Sequence, residues 1–452
     1  MRRKLCVIFL VLAVLIVCNS RLHAYTIFQK VGIASSPNPV GSGARAVGMG
    51  GAFIAVADDA TAASWNPAGL VQLESPELSI VGAYVSRTED FSSSSHPEVN
   101  NSAKNDDSNI NYFSGTYPFS FRNTNMVVSV NYQRLYEFKR GFDYHLETET
   151  PPPEPSVPAL TTSEDRYYEQ DGYIGTLGLA YAVEITPWIS LGITLNIWTD
   201  ELAWRNGWQE TFSNHSAITF GDFEAIEDTY ITDKYSGFSG ENVNLGLLWD
   251  INQYLTIGAV LKTPFTATFE HEYTEDWTQW DESGEITSSV EVRDLEKVKL
   301  RMPMSYGIGL AFRFSDALTV DLDIYRTDWS EYILTDGQGN QFSPIDGRPK
   351  SESDVKDTTQ IRLGGEYLII KPEKNLVVPL RAGFFYDPEP ADGKVKDFYG
   401  FTLGSGIGYK RFIFDMAYQL RWGHQVDTGN LIANSKADVT QHLLLTSVIV
   451  HF

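Results

Sequence analysis

Three short stretches of the chain carry residue types and spacings that could do chemistry. Asp58 and Asp59 are adjacent carboxylates, as a general acid and base would be. The glycines between residues 41 and 53 superficially resemble a dinucleotide-binding turn, but no predicted strand and helix surround them. Residues 336–340, Asp-Gly-Gln-Gly-Asn, begin like a calcium loop that lacks its final carboxylate. We therefore interpret the aspartates as caps of a short helix and 336–340 as a plain turn.

The remaining residues show no catalytic or metal-binding arrangement. The eight histidines form no metal-spaced pair on one face of a predicted strand. The sequence also contains no serine elbow, no Cys–His arrangement and no phosphate-binding loop. It therefore predicts a protein that is not an enzyme and that binds no metal or cofactor.

The start of the chain predicts export. Three basic residues at 2–4 precede an apolar run over 5–17, and Ala24 offers a small residue at a cleavage site. The run is too short for a transmembrane helix, which needs about 20 apolar residues. We predict a signal peptide over residues 1–24, removed after Ala24. The two cysteines lie within it, so the exported chain would form no disulfide.

Most of the chain after residue 76 alternates between apolar and polar residues. From Leu300 to Phe314 the even-numbered residues are apolar, and most of those between them are small or charged. A strand of this length exceeds the usual 5–6 residues or so, and tilted strands of about 9–11 residues cross a bilayer. Such strands are predicted near 77–87, 108–120, 124–138, 166–186, 188–204, 230–251, 254–272, 296–315, 317–332, 356–371, 376–387, 397–409, 411–424 and 438–452.

The connections between these strands alternate between short and long. Tight turns such as Arg122-Asn123 follow even-numbered strands, whereas long polar segments such as 141–165 follow odd-numbered strands. This asymmetry is typical of outer-membrane barrels, with the short turns in the periplasm. We predict an all-β fold: a transmembrane antiparallel β-barrel of about 14 strands over residues 76–452, with long extracellular loops. A soluble β-sandwich would explain the alternation but not the asymmetry.

The ends and charges of the predicted barrel indicate its surroundings. The last strand ends on Phe452, which looks like the signal read by the barrel-assembly machinery, so that machinery is an expected partner. A net charge of −23 argues against nucleic acid as a partner. The acidic residues cluster in predicted loops at 222–228, 270–285 and 351–357. We interpret them as solvated surfaces; a second possibility is bridging to outer-membrane lipid through divalent ions.

The polar face of the predicted strands would line the barrel interior. It carries both signs of charge, at Arg301, Arg313, Asp321, Asp323, Arg362, Glu366, Asp415 and Arg421. Because buried charges are normally paired, we expect ion pairs across the wall or to a segment inside the barrel.

Residues 25–75 do not alternate, and they predict a compact segment instead. The stretch 41–53 is rich in glycine and alanine, and residues 60–64 predict one or two helical turns that Asn66-Pro67 would end. A compact segment attached to a barrel is suited to lie inside it as a plug, or hatch.

The motifs of this segment resemble one family. Gly43-Ala44-Arg45-Ala46, Asp58-Asp59 and Asn66-Pro67-Ala68-Gly69-Leu70 look like the hatch of the FadL/TodX family, outer-membrane transporters of long-chain fatty acids and aromatic hydrocarbons. Further matches include 302–309, 327–330, 362–367 and 381–388. The resemblance implies a plugged barrel of fourteen strands that captures hydrophobic small molecules at its extracellular loops. It also implies sideways release beside the third strand, in which the sequence shows no kink.

Candidate site residues follow from this interpretation. The hatch signature is Asn66, Pro67, Ala68 and Gly69, and the candidate ligand-binding side chains are Phe53, Trp65, Trp198, Trp204, Trp208 and Phe212. The tryptophans could equally form an aromatic girdle and loop packing. Two alternatives stay open: a barrel scaffold of a protein-secretion or assembly system, whose hatch is also similar, and a polar porin, which the plug disfavours.

Overall fold

The computed structural model describes residues 41–152, 154–201, 205–427 and 435–452. The predicted signal peptide, residues 25–40 of the predicted hatch and Trp204 lie outside these ranges. Two short helices, α1 (Ala44–Gly48) and α2 (Ala62–Trp65), and a 3₁₀ helix at Pro67–Gln72 precede the strands. Within the described ranges no helix is both long and apolar enough to cross a membrane.

The rest of the described chain forms one antiparallel sheet. Its strands are β1 (Glu77–Ser93), β2 (Ser102–Phe121), β3 (Thr124–Glu137), β4 (Arg140–Thr150), β5 (Leu160–Thr186), β6 (Ile189–Trp198), β7 (Gly207–Phe220), β8 (Phe223–Asn252), β9 (Leu255–Lys262), β10 (Phe265–Asp281), β11 (Ile286–Met302), β12 (Ser305–Ser315), β13 (Leu318–Thr327), β14 (Ile333–Thr335), β15 (Gln341–Phe342), β16 (Thr358–Lys371), β17 (Leu376–Tyr386), β18 (Phe398–Tyr409), β19 (Phe412–Asp427) and β20 (Ser435–His451). Short 3₁₀ turns lie at Pro97–Val99, Trp329–Glu331 and Pro372–Lys374.

Fourteen of these strands close into a barrel. The order around the barrel is β1, β2, β3, β5, β6, β8, β9, β12, β13, β16, β17, β18, β19 and β20. The last strand pairs back to β1 along its whole length, from Glu77–His451 to Ser93–Ser435. Closure leaves no strand edge, so backbone groups in lipid are satisfied. The predicted fourteen-strand antiparallel barrel is confirmed.

One rim of the barrel carries only tight turns, and we call it the short-turn rim. Its turns are at 122–123, 187–188, 253–254, 316–317, 372–375 and 410–411. Large aromatic side chains project outward beside them, including Phe121, Trp188, Tyr254, Phe314 and Phe412. Such a row of exposed aromatics is typical of a barrel girdle at a membrane interface.

At the opposite rim, six neighbouring strands continue beyond the barrel and extend the sheet outward, and we call this extension the outer sheet. It consists of β4, residues 160–172 of β5, β7, residues 223–239 of β8, β10 and β11. Breaks or bends separate it from the barrel at residues 138–139, Gly172, 199–201 with 205–206, Gly237, 263–264 and 303–304. The outer sheet, whose β4 and β7 lie wholly in predicted loops, was not predicted.

The bends have local causes in the sequence. Gly172 and Gly237 adopt positive φ angles of 139° and 70°, which side-chain-bearing residues rarely do. Pro264 and Pro303 lack the N–H group that would continue the hydrogen-bond ladder. These four residues therefore interrupt or bend the strands between the barrel and the outer sheet.

The break at 303–304 corrects one predicted strand. Leu300 and Met302 are buried on the inner side of β11, whereas Tyr306 and Ile308 project outward from β12. The prediction of one lipid-facing apolar row from 300 to 314 is therefore wrong. Pro303 and Met304 belong to neither strand. Because of this interruption, the even-numbered side chains point inward on β11 and outward on β12.

Residues 41–75, the N-terminal segment, contact the inner face of the barrel. Hydrogen bonds join this segment to strands around the wall, for example Tyr112 Oη to Ala60 O (2.9 Å), Asn125 Nδ2 to Val71 O (2.7 Å), Thr194 Oγ1 to Ala63 O (3.1 Å), Phe53 N to Asp323 Oδ2 (2.7 Å), Gly50 N to Thr402 Oγ1 (2.9 Å) and Ala44 N to Ser447 Oγ (2.8 Å). The segment is therefore held from opposite sides of the wall.

Glycines in the wall allow this close approach. A Cβ atom on Gly364 would lie 1.9 Å from the carbonyl oxygen of Met49, and one on Gly383 would lie 2.3 Å from the nitrogen of Gly50. Both neighbours are backbone atoms, which cannot move away as a flexible side chain could. The wall must therefore lack side chains at these two points of closest approach.

We expect Gly364→Ala to displace the N-terminal segment and raise ion conductance across a planar bilayer severalfold, because the added methyl group overlaps Met49. Gly365→Ala is the matched control, since a Cβ there would meet its nearest atom at 3.4 Å. Heat-dependent gel mobility would show that both barrels fold. Wild-type conductance in a folded Gly364→Ala barrel would contradict the expectation.

Candidate functional site

The first residue of the predicted hatch signature, Asn66, connects separate stretches of backbone through its side chain. Asn66 Nδ2 donates to Ile54 O (2.8 Å) and to Leu247 O on β8 (3.0 Å), and Asn66 Oδ1 accepts from Ala68 N (3.1 Å). Pro67 begins the 3₁₀ helix, and a Cβ on Gly69 would lie 1.8 Å from Ala57 O. Each residue type therefore has a packing reason within the segment.

A chain of alternating charges ties the same segment to the wall. Arg45 forms ion pairs with Asp58 and with Glu366 on β16, the latter at 2.9 Å. Glu366 and Asp415 both contact Arg381, each at 2.6 Å. Because most of these groups are buried, loss of one member would leave a charge without its partner, which is strongly destabilising.

The two aspartates differ in role. Asp59 Oδ1 accepts from Thr61 N (2.8 Å) and from Thr61 Oγ1 (2.6 Å), immediately before α2. Asp58 instead pairs with Arg45, so the interpretation of Asp58 as a helix cap is wrong. The predicted turn at 336–340 is confirmed, since Asp336 Oδ1 accepts from Gln338 N and Asn340 N.

The predicted interior charges separate into two groups. Six of them are at most 4% exposed: Asp321, Asp323, Arg362, Glu366, Asp415 and Arg421. Arg301 and Arg313 are not buried; their closest ion-pair distances are 3.4 Å to Glu331 and 3.9 Å to Asp250. Arg301 lies on the outward face of β11 because of the break at 303–304.

Phe53 and Trp65 lie inside the N-terminal segment. Their rings meet edge to face with centroids 5.8 Å apart, and both side chains are at most 1% exposed. Trp65 Nε1 donates to Ser42 O at 2.6 Å. This placement gives both residues a packing role in the segment's own core.

A larger apolar cluster lies where the barrel meets the outer sheet, and we call it the junction cluster. It comprises Tyr136, Phe138, Ile174, Trp198, Trp208, Tyr235, Phe238, Ala267, Phe269, Val298, Leu300, Met302, Trp329, Tyr332, Leu334 and Val355. It therefore contains two of the candidate tryptophans together with residues from strands on both sides of the breaks.

The candidate tryptophans are stacked within this cluster. Trp208 lies between Phe138 and Tyr235, with ring centroids 4.6 and 4.4 Å away. Trp198 stacks on Phe265 at 5.2 Å and donates from Nε1 to Asn242 Oδ1 at 2.9 Å. Phe212 lies apart, in a smaller cluster with Ile231 and Tyr273 on the outer sheet.

The loop over residues 328–357 completes the junction cluster. Trp329 and Tyr332 meet edge to face at 5.4 Å, and both are buried. Ser330 N donates to Asp357 Oδ1 at 3.0 Å, and Lys350 Nζ donates to Ser330 O. These bonds fix the loop over the apolar side chains.

Two cavities open at the short-turn rim, on either side of the N-terminal segment. One, of about 550 Å³, is lined by residues 71–74 together with the ends of β2, β3, β5, β6 and β8. The other, of about 460 Å³, is lined in part by Arg45, Glu366 and Arg381. Because their linings include charged groups, we regard them as solvated spaces rather than sites for an apolar molecule.

A buried polar row crosses the inner face of the outer sheet beside the junction cluster. Glu210 on β7 and Asp233 on β8 are cross-strand partners and are 2% and 0% exposed. Glu210 accepts from Tyr168 Oη at 3.0 Å, and His271 Nε2 lies 2.5 Å from Asp233 Oδ1. The sequence analysis missed this row because residues 207–220 were not interpreted as a strand, although Trp208, Glu210 and Phe212 alternate there.

The surroundings of these carboxyl groups, outside the membrane-spanning part of the strands, favour bound protons. Burial raises the pKa of Glu210 to about 7, and the neighbouring Asp233 adds to the rise. Burial likewise raises the pKa of Asp233 to about 6. Burial opposes a charge on His271, but the hydrogen bonds and negative charges of Asp233 and Glu296 together outweigh it and raise the pKa of the imidazole.

We expect the outer sheet to lose protection as the pH rises. A raised carboxyl pKa means that the folded state holds protons that the unfolded state releases, so this stability is present at low pH and lost as the pH passes about 7. Amide hydrogen exchange of residues 207–220, corrected for intrinsic rates, should be roughly tenfold faster at pH 8 than at pH 5.5.

Glu210→Gln should reduce this pH dependence, because the amide cannot ionise. Glu272→Gln, at an exposed position on β10, should leave it unchanged. Equal protection at both pH values in the wild-type protein would contradict the assignment.

Comparison with known proteins agrees with this architecture. The model of the family described as outer membrane protein transport protein (OMPP1/FadL/TodX) matches residues 38–430. The crystal structure of a Pseudomonas aeruginosa FadL homologue is similar, with a TM-score of 0.56 and 12% identity, over 91% of this chain and 98% of that chain. The Pseudomonas putida toluene transporter TodX gives a TM-score of 0.53 and 13% identity, over 91% and 98%.

At these identities the structural likeness concerns the fold. The comparison with curated proteins gave no match. The family match, however, spans both the N-terminal segment and most of the barrel. The chain therefore belongs to the OMPP1/FadL/TodX family of outer-membrane transport proteins.

Proposed function

We propose that the protein carries hydrophobic small molecules, such as long-chain fatty acids or aromatic hydrocarbons, passively across the outer membrane. The observation that carries the proposal is the junction cluster, an apolar region between the outer sheet and the barrel. An apolar solute would be captured at the outer sheet and held among these side chains without contact with water. TodX, which is similar in fold, is a toluene transporter.

Export and assembly follow from the ends of the chain. The signal peptide over residues 1–24 would direct export and be removed after Ala24. The barrel-assembly machinery would recognise β20 and the terminal Phe452, whose backbone nitrogen donates to Pro76 O at 3.0 Å. Residues 25–75 would act as the hatch. The long loops and the outer sheet would then face the extracellular side.

Lateral release has support in the pairing of β2 with β3. Their main-chain ladder runs from Phe121–Thr124 to Tyr112–Gln133 and goes no further. Above it, asparagine side chains of β2 bridge to β3 and β4: Asn111 Nδ2 donates to Arg134 O (3.1 Å), Asn109 Nδ2 to Glu137 Oε1 (3.2 Å) and Asn105 Nδ2 to Gly141 O on β4 (2.9 Å). We call this stretch the seam.

The seam borders the junction cluster. Tyr136 and Phe138 belong to the cluster and lie three and five residues after Gln133, the last residue of β3 that pairs with β2. The pairing of β3 with β5 also shifts register between Arg134 and Tyr136. Arg134 on β3 also pairs with Asp107 on β2 at 3.5 Å. Single side-chain bridges separate more easily than a main-chain ladder, so a molecule held in the cluster could leave sideways here.

A scaffold function in protein secretion or assembly is the alternative. The close packing of the N-terminal segment against wall glycines favours it, because a scaffold needs no path for a ligand. Purification in mild detergent separates the two: bound fatty acid or hydrocarbon supports transport, whereas stoichiometric protein partners with an empty barrel would overturn it.

Uptake of radiolabelled toluene and oleate by cells expressing the protein tests transport. We expect Trp198→Ala to lower uptake about tenfold, because it removes a large apolar surface from the centre of the junction cluster. Phe314→Ala, at the outward face of the short-turn rim, is the control and should transport normally. Equal uptake by cells with and without the wild-type protein would overturn the proposal.

Crosslinking tests the seam. With the leader removed the chain has no cysteine, so Asn109→Cys with Glu137→Cys gives one unique pair. A short methanethiosulfonate crosslinker should block uptake about tenfold, and a reducing agent should restore it. Tyr117→Cys with Val128→Cys, paired within the ladder, is the control. Unchanged uptake after complete crosslinking at 109 and 137 would exclude this exit.

A further inference from the structure

The polar row on the outer sheet has a composition that the transport of plain hydrocarbons does not require. Glu210 and Asp233 face each other across β7 and β8, and both are almost fully buried. Burying one ionised carboxylate is costly, and burying two as neighbours adds their mutual repulsion. Bound protons compensate for this cost at low pH, but at higher pH the ionised pair needs another positive group.

The partners of Glu210 do not supply a full positive charge. It accepts hydrogen bonds from Tyr168 Oη (3.0 Å), Gln170 Nε2 (3.1 Å) and Trp208 Nε1 (3.2 Å), all neutral donors. Among the described residues, neither Glu210 nor Asp233 forms an ion pair with arginine or lysine. His271 is the titratable partner, and it lies against Asp233.

One carboxylate oxygen of Asp233 is available to accept a hydrogen bond. Its Oδ1 atom contacts His271, whereas its Oδ2 atom is buried and has no hydrogen-bond partner among the described residues. A buried acceptor without a donor is destabilising in general. This free acceptor lies beside Glu210, so a donor placed between the two would satisfy it.

The walls beside the pair are apolar. Trp208, Tyr235 and Phe269 of the junction cluster lie on one side along the strands, and Phe212 and Ile231 lie on the other. Tyr235 also stacks on His271 with ring centroids 4.6 Å apart. A ligand for this place would therefore combine an apolar body with a compact donor group.

We propose that Glu210 and Asp233 bind the protonated amino group of a hydrophobic amine whose apolar part lies in the junction cluster. The inference rests on the proposed function and specifies its substrate class. A cationic group gains from both carboxylates and donates to Asp233 Oδ2. A fatty-acid carboxylate is repelled by the same pair and must occupy another part of the path.

Binding to the purified full-length protein in detergent at pH 8 tests this, with three ligands of matched shape: 2-phenylethylamine, ethylbenzene and phenylacetate. An alkylamine remains protonated at this pH. We expect the amine to bind at least tenfold more tightly than ethylbenzene, and phenylacetate to bind most weakly. The doubly isosteric variant Glu210→Gln with Asp233→Asn should lose the preference for the amine and keep its affinity for ethylbenzene.

Glu272→Gln, on the exposed face of β10, is the control and should bind like the wild-type protein. The wild-type comparison alone suffices if the double variant does not fold. Equal affinities for amine and ethylbenzene would overturn the amine site and leave the proposed transport intact. Binding of none of the three ligands would overturn both the amine site and the proposed transport. Binding of the amine alone would support the amine site and contradict general hydrocarbon transport.

Discussion

Every backbone N–H and C=O group that faces lipid must find its partner within the protein, and this constraint decides the architecture. An open sheet would leave two unpaired edges in hydrocarbon, where each unsatisfied group is costly. The pairing of β20 with β1 over seventeen residue pairs removes both edges. Closure in turn creates an interior, and the contents of that interior account for most of the other features of the molecule.

The interior is filled by polar contacts in one part and apolar contacts in another. Near the short-turn rim, backbone N–H groups of the N-terminal segment donate to Asp323 of the wall, and Arg45 pairs with Glu366. Glycines in the wall allow the segment to approach closely. Beyond it, the breaks in six strands turn apolar side chains inward to form the junction cluster.

The outer sheet combines two properties that are rarely placed together. Its inner face is aromatic, yet it carries Glu210 and Asp233 without a lysine or arginine partner in the described chain. Hydrophobic side chains lower the local dielectric and so strengthen any interaction that the carboxylates make. The same apolar surroundings that make the pair costly when empty would make it selective when a cation is bound.

Period-two alternation and turn residues are local signals, so the barrel, its fourteen strands, its short-turn rim and the lack of strands in residues 41–75 were predictable from the sequence. The hatch signature from Asn66 to Gly69 came from the resemblance to a family and stays a prediction, although Asn66 and Pro67 do begin a 3₁₀ helix. The sequence did not show that Leu300 and Met302 face inward, that Asp58 pairs with Arg45, or that Glu210 meets Asp233. These depend on strand breaks and on pairing between residues distant in the chain, and no local pattern encodes which strands become neighbours beyond a break.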